Sequence, residues 1–160
     1  MAERTDRELV LASDHAGFQL KEAIKAELLR QGRQVEDRGT HSPEAANWAE
    51  FGAQAAARVA ADPEHVVGIL VCGSGIGMSI VANRFPGVRA ALCHDENAAR
   101  LARRHNDANV LALGARVVDA AAALKIVAAF LETPFEGGRH QVRLDYLRDG
   151  VEKKIIPAQD

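Results

Sequence analysis

Scarcity does much to narrow the chemistry open to this chain of 160 residues. It has only two cysteines, Cys72 and Cys93. Each falls inside or at the end of an expected strand. That argues for two reduced thiols rather than a disulfide, and for a reducing, cytoplasmic setting. An excess of either charge is also missing: 20 Lys and Arg stand against 22 Asp and Glu, a formal net charge of -2. There is no basic surplus to hold nucleic acid, and no run of like charge to form a tail. No apolar run approaches the roughly 20 residues of a membrane span. The opening MAERTDRELV is charged and leads into a strand, unlike a signal peptide. No short-spaced set of His, Cys and Asp points to a metal.

What is present reads as one domain, residues 1–160, with a sizeable core; 48% of its residues are apolar. Strand and helix patterns alternate along its length. Leu9–Ala12 reads as a strand, and Leu20, Ile24 and Leu28 then fall on one helical face that Gly32 closes. Residues 33–38 form a short expected strand, 45–61 an alanine-rich helix, and 66–72 a strand of apolar and β-branched residues. Pro86-Gly87 turns into an expected strand at 88–93, Asp95 caps a helix to about 104, and 108–113 make a fifth strand. Asp119 caps a helix over 120–131, which Thr133-Pro134 ends. This rhythm predicts βαβ units: a Rossmann-like three-layer α/β fold with a five-stranded parallel sheet. An extra C-terminal helix, at about 138–154, falls outside the rhythm and is suited to packing on another subunit.

The densest signal is VVGILVCGSGIGMSIVANR, residues 66–84. A strand ends at Cys72, three alternate glycines follow (Gly73, Gly75 and Gly77), and a helix begins. Backbone N–H groups at such a junction favour an anion. A thiol beside them gains thiolate character and can serve as a base or nucleophile. Rival readings fail on spacing. No Lys-Ser/Thr follows as a Walker A loop requires. Gly77 comes one residue early for a strict G-x-G-x-x-G. A cysteine phosphatase needs an arginine where Met78 stands.

A thiolate and a phosphate dianion on the same amides would repel each other. The anion at Gly73–Gly77 is therefore expected to be small and transient, as an enediolate oxygen is when a proton leaves the carbon next to a carbonyl. A free cysteine is only about 3% thiolate at pH 7, so a modest depression makes a workable base. A phosphate would need its own site. Arg139 and Arg143, four apart on one helical face with His140 between them and Gly137-Gly138 before them, can supply it. An ordinary solvated charged face fits that spacing equally well. Parallel sheets bind ligands outside the carboxyl ends of their strands, where Asp14-His15, Cys72-Gly73-Ser74 and Arg116 fall. His105-Asn106 precedes its strand, at the C-terminal end of a helix, from where it could still reach such a site through another subunit.

Taken together, SDHAGFQLK, CGSGIGMSIVANR, RHNDANVLALGAR and EGGRHQVR resemble the ribose-5-phosphate isomerase B family, whose group includes galactose- and allose-6-phosphate isomerases. The likeness covers about residues 8–150. It implies a metal-free, cofactor-free aldose–ketose isomerase that works on a phosphorylated sugar through a cis-enediol. One branch of that family uses a glutamate just after the glycine loop. Met78 stands there, so the resemblance implies the cysteine branch, with Cys72 moving the proton between C1 and C2. It further implies that His105 opens the sugar ring with help from Asp14, and that Ser74 handles the hydroxyl proton. Backbone amides of Gly73, Gly75, Ile76 and Gly77, with the Asn106 side chain, would hold the enediolate. His15, Arg116, Arg139, His140 and Arg143 would gather the phosphate. The family's sites lie between two subunits, which implies a homodimer or a larger assembly such as a tetramer.

Asn47-Trp48-Ala49 stands where many members have Asp-Tyr-Pro, and Ala108 where Ser or Thr is common. Both departures bear on the preferred sugar. The expected reaction interconverts ribose 5-phosphate and ribulose 5-phosphate, as in the pentose phosphate pathway. Isomerisation of a six- or four-carbon sugar phosphate is the nearest alternative. A noncatalytic phosphosugar- or nucleotide-binding module is a second.

Overall fold

The structure, a computed structural model, describes residues 7–148 and 150–155. Five strands make one sheet: β1 (Glu8–Ser13), β2 (Val35–Asp37), β3 (Val66–Cys72), β4 (Ala90–Leu92) and β5 (Val110–Gly114). Their order is β2-β1-β3-β5-β4, and every pairing is parallel. The sheet buries both faces because its strands alternate two apolar sets. Leu9, Leu11, Val67, Ile69 and Val71 pack on one side with Ile24 and Leu28 of α1 (Phe18–Arg30). Ala99 of α4 (Glu96–Asn106) and Ile126 and Phe130 of α5 (Ala120–Glu132) join that core. Val10, Ala12, Leu70 and Cys72 face the other side, against Ala55 and Val59 of α2 (Trp48–Ala61) and Met78 of α3 (Ile76–Ala82). This is the expected three-layer arrangement. No helix among the described residues is long and apolar enough to cross a membrane.

Most helix boundaries follow the expected caps. Asp95 and Asp119 accept from the N–H groups of Ala98 and Ala122 at 2.7 and 2.8 Å. Gly32 follows α1 at φ +76 and donates to Leu29 O, a left-handed turn that glycine adopts at little cost. Several boundaries differ from expectation, among them the start of β5, at Val110 rather than 108. α2 starts at Trp48, not near 45, because the Asn47 side chain accepts from Ala49 N–H at 3.0 Å. The edge strands β2 and β4 are three residues each, since a half-buried edge carries little periodicity. Cys93 consequently lies just beyond β4; it is buried, and burial followed by the nearby Asp95 charge pushes its thiol up to about 11. The single C-terminal helix expected over 138–154 is two, α6 (Arg139–Arg148) and α7 (Glu152–Ile155), with Gly150 at φ +80 between them.

The strand order reverses between β1 and β3, and ligand crevices form at such a point. Register sets Ser13 beside Val71, so Asp14 and Cys72 emerge side by side. Beneath them lies a buried charge network. Lys21 has no exposed side-chain surface and donates to both Asp37 oxygens at 2.7 Å. Lys25 reaches Asp37 at 2.6 Å, and Asp37 also accepts from Gly39 N–H at 2.9 Å. Gly39 O accepts from Ser13 N–H at 2.7 Å, and Thr40 N–H donates to Ser13 O at 2.8 Å. The network thus ties the segment after β2 to the end of β1.

Candidate active site

A cleft of about 520 Å³ opens at this switch point. Asp14, Trp48, Cys72, Gly73, Ser74, Ile76, Gly77, Ile80, Arg116 and Val117 line it. Cys72 is the last residue of β3 and is 4% exposed. Its sulfur accepts from Gly75 N–H at 3.1 Å, a donor that stabilises negative charge on the sulfur. Gly75 holds φ +79, and a Cβ there would meet Leu92 at 2.5 Å and the Leu113 backbone at 2.8 Å. Only glycine folds this loop tightly enough to bring that N–H under the thiol. Ser74 Oγ accepts from Ile76 N–H at 3.2 Å. Two amides expected to face an enediolate, those of Gly75 and Ile76, therefore donate within the loop itself. Those two amides hold the thiol and the hydroxyl in place.

Asp14 is buried and its carboxylate accepts from Gly17 N–H at 2.9 Å, which fixes it over the start of α1. His15 next to it is exposed, and its Nδ1 accepts from Ala46 N–H at 3.1 Å. Arg116 follows β5. Its N–H donates to Gly73 O at 2.9 Å, and its guanidinium lies so near Gly73 that a Cβ there would be 3.0 Å from it. Trp48 covers the opposite wall. Its ring lies where a Cβ on Gly77 would come within 2.8 Å, so Gly77 serves packing against Trp48. With Ile76, Ile80 and Val117 it makes the wall apolar. Ile80 and Val117 carried no sequence signal beyond helical or loop position. Trp48 did, as the departure from the Asp-Tyr-Pro pattern.

The remaining expected residues assemble elsewhere. His105 and Asn106 end α4, before β5 begins, whereas Cys72 pairs with Gly114 at the far end of β5. At about 3.3 Å per residue, β5 alone puts some 13 Å between them along the strand. The structure therefore does not bring His105 and Cys72 together within one chain. His105 instead stacks on His140 of α6, centroids 4.3 Å apart and planes 11° from parallel. His140 is 4% exposed, and its Nδ1 has no hydrogen-bond partner. Burial and then the neighbouring His105 and Arg139 charges hold it below the usual imidazole value, with Glu136 opposing. Arg139 Nε lies 3.5 Å from His140 Nε2, and Arg143, exposed like Arg139, is one helical turn on.

Glu136, the first residue of EGGRHQVR, joins this second cluster although no role was read for it in the sequence. Its carboxylate lies 3.5 Å from His140 Nε2 and 3.9 Å from His105 Nε2. The Arg104 guanidinium, 2.5 Å away, holds it below the usual carboxylate range. His105, Glu136 and His140 each place one donor atom within 4.8 Å of the others, a set the sequence spacing did not reveal. Two near-parallel rings do not aim their lone pairs at one ion, and Arg104, Arg139 and Arg143 oppose a cation. The cluster suits proton handling beside an anion better than metal binding.

Comparison with known proteins places these features. Residues 9–147 match the Ribose/Galactose Isomerase family. Ribose-5-phosphate isomerase B of Escherichia coli strain K12 is 45% identical over 139 residues, 87% of this chain and 93% of that protein. The structure of Clostridium thermocellum ribose-5-phosphate isomerase B superposes with a TM-score of 0.87 at 44% identity, covering 92% of this chain and 98% of that one. That of Mycoplasma genitalium ribose-5-phosphate isomerase B with bound ribulose-5-phosphate gives 0.89 at 38% identity, covering 93% and 99%. The chain belongs to the ribose/galactose isomerase family.

Proposed function

We propose that the protein interconverts ribose 5-phosphate and ribulose 5-phosphate, with Cys72 as the base and no metal or cofactor. The observation that carries this reading is the thiol of Cys72, held on Gly75 N–H in a cleft with Asp14, Ser74 and Arg116. Family membership and the relatives' activity support it. In the ring-opening step the bond from C1 to the ring oxygen breaks. His105 gives that oxygen a proton, and the C1 hydroxyl loses one to Asp14 as the carbonyl forms. The Cys72 thiolate then takes the proton from C2, leaving an enediolate. Ser74 relays the hydroxyl proton from O2 to O1, and Cys72 returns its proton to C1 as the C2 carbonyl forms. Asp14 then gives its proton to solvent and His105 takes one from it, which resets both groups, so protons balance over the cycle. Asn106 stabilises the developing charge. His15, Arg116, Arg139, His140 and Arg143 hold the phosphate away from the thiolate.

These roles require two copies of the chain, because His105 and Cys72 sit at opposite ends of β5. In a two-fold homodimer each cleft takes Cys72 from one protomer and the His105 cluster from its partner; a tetramer would pair two such dimers. Apolar groups exposed on both half-sites suit that contact: Ile80 (57%) and Val117 (52%) beside the cleft, and Val142 (71%) on α6. The reducing cytoplasm is the expected setting, where the thiol stays free.

A substrate panel tests the activity. Ribose 5-phosphate is expected to give the highest kcat/KM among ribose 5-phosphate, allose 6-phosphate, galactose 6-phosphate and a tetrulose phosphate. A higher value for another sugar would retain the chemistry and change the substrate; binding without turnover would leave only a binding module. Subunit mixing tests the shared site. Cys72→Ala and His105→Asn are each expected to be nearly inactive. Random exchange of their subunits should restore about one quarter of native activity, because half the dimers then hold one intact site of two. No recovery after proven exchange would contradict a site shared between protomers.

A further inference from the structure

Glu136 stands outside the proton path just described, yet it touches both histidines of the second cluster. Its Oε1 is held by Arg104, through Nε at 2.6 Å and the second guanidinium nitrogen at 2.5 Å. Its backbone N–H donates to Arg104 O at 3.0 Å. That clamp leaves Oε2 facing the rings, 3.5 Å from His140 and 3.9 Å from His105. The nearby Asp107 is spoken for, paired with Arg103 at 2.9 Å and Arg89 at 3.2 Å.

Two stacked imidazoles 4.3 Å apart cannot comfortably both be cations; their protons come off as a coupled pair. Arg104, Arg139 and Arg143 add positive charge around them, and Glu136 is the anion set against that charge. Burial of His140 selects it as the ring that stays neutral. The proton is thereby left to His105, the half-buried member of the pair.

We propose that Glu136 is a positioning residue: its clamped carboxylate keeps one proton in the His105–His140 stack, and the burial of His140 leaves that proton on His105. This rests on the ring-opening role of His105 in the proposed reaction. Glu136 touches no substrate in it. It acts by keeping the acid loaded in surroundings rich in arginine.

The test is a histidine ring titration by NMR on the native protein, with Glu136→Gln and Glu136→Asp alongside, and His105→Asn and His140→Asn to assign the signals. The native rings should take up protons as a coupled pair. Glu136→Gln should move the first protonation of the pair down by about one pH unit, and Glu136→Asp should recover most of the shift. The acidic limb of kcat/KM for ribose 5-phosphate should move down with it, with KM for the sugar phosphate changed less than about threefold. Rings that titrate independently, or that do not respond to Glu136→Gln in a folded protein, would overturn the proposal. Full activity in His105→Asn would instead overturn the ring-opening reading, and the titrations separate the two failures.

Discussion

Replacing Cys72 with alanine is expected to lower kcat about 10³-fold or more while KM for ribose 5-phosphate stays within about threefold. General-base catalysis contributes on the order of 10²–10⁴. Here the thiol is also the group that both removes and returns the migrating proton, so its loss touches two steps. A change confined to kcat is the mark of an interaction made in the transition state. The sulfur is 4% exposed and Gly75 N–H is aimed at it, so alanine leaves that donor unpaired at the floor of the cleft. Cys72→Ser restores an acceptor of similar size with a hydroxyl that does not ionise near neutral pH. It should fold as well as the native protein and remain nearly inactive. Steady-state kinetics on both variants makes the check; a loss of tenfold or less in Cys72→Ala would remove Cys72 from the base role.

Asp37→Asn is expected to cost about 3 kcal/mol of stability at pH 7. Lys21 carries its charge with no exposed surface and relies on Asp37 as its bidentate partner. Removing Asp37 leaves the buried Lys21 charge with only the half-exposed Glu22, 3.0 Å away, whereas removing both charges of the pair is far milder. Lys21→Met with Asp37→Leu should therefore be more stable than Asp37→Asn alone. The Asp37 pKa carries a pH signature. Burial alone would raise it, but hydrogen bonds from Lys21, Lys25 and Gly39 N–H bring it down to about 2, from 3.8. A carboxylate depressed in the fold contributes fully above its unfolded value and loses that contribution as pH falls through the folded one. The stability gap between native protein and Asp37→Asn should thus be full above pH 5 and shrink between about pH 4 and 2. Urea unfolding at pH 7 and pH 3 measures both. A gap below 1 kcal/mol at pH 7, or one that does not narrow in acid, would contradict the network's role. Because the network anchors the segment beside Ser13, the same variant should also raise KM through Asp14.

The half of the site on the sheet was legible in the sequence, because strand, glycine loop and helix are contiguous from Val66 to Ala82 and one local pattern encodes them. Asp14 and Arg116 were legible for a related reason: parallel topology sends strand ends to one edge, so position along each strand tells which side a residue serves. What escaped was long-range pairing between side chains. Arg104 and Glu136 are 32 positions apart, and only the packing of α6 on α4 brings Glu136 to the two histidines. Lys21 falls beside the apolar stripe of Leu20, Ile24 and Leu28. Nothing local distinguishes a buried lysine from a solvated one when its partner Asp37 is 16 positions away. The split of the C-terminal helix followed from Gly150, a residue tolerated within a helix by pattern and decisive here by its positive φ.

The most direct measurement is solvent exchange during turnover. Ribose 5-phosphate is converted in deuterium oxide by the native protein and by Cys72→Ala, and deuterium at C1 of ribulose 5-phosphate is read by NMR. Deuterium at C1 in the fraction of native product whose Cys72 thiol exchanges with solvent before it returns the proton, and no exchange with the variant, is the result expected of a proton carried on Cys72 through an enediolate. Exchange undiminished in Cys72→Ala would mean another residue is that base.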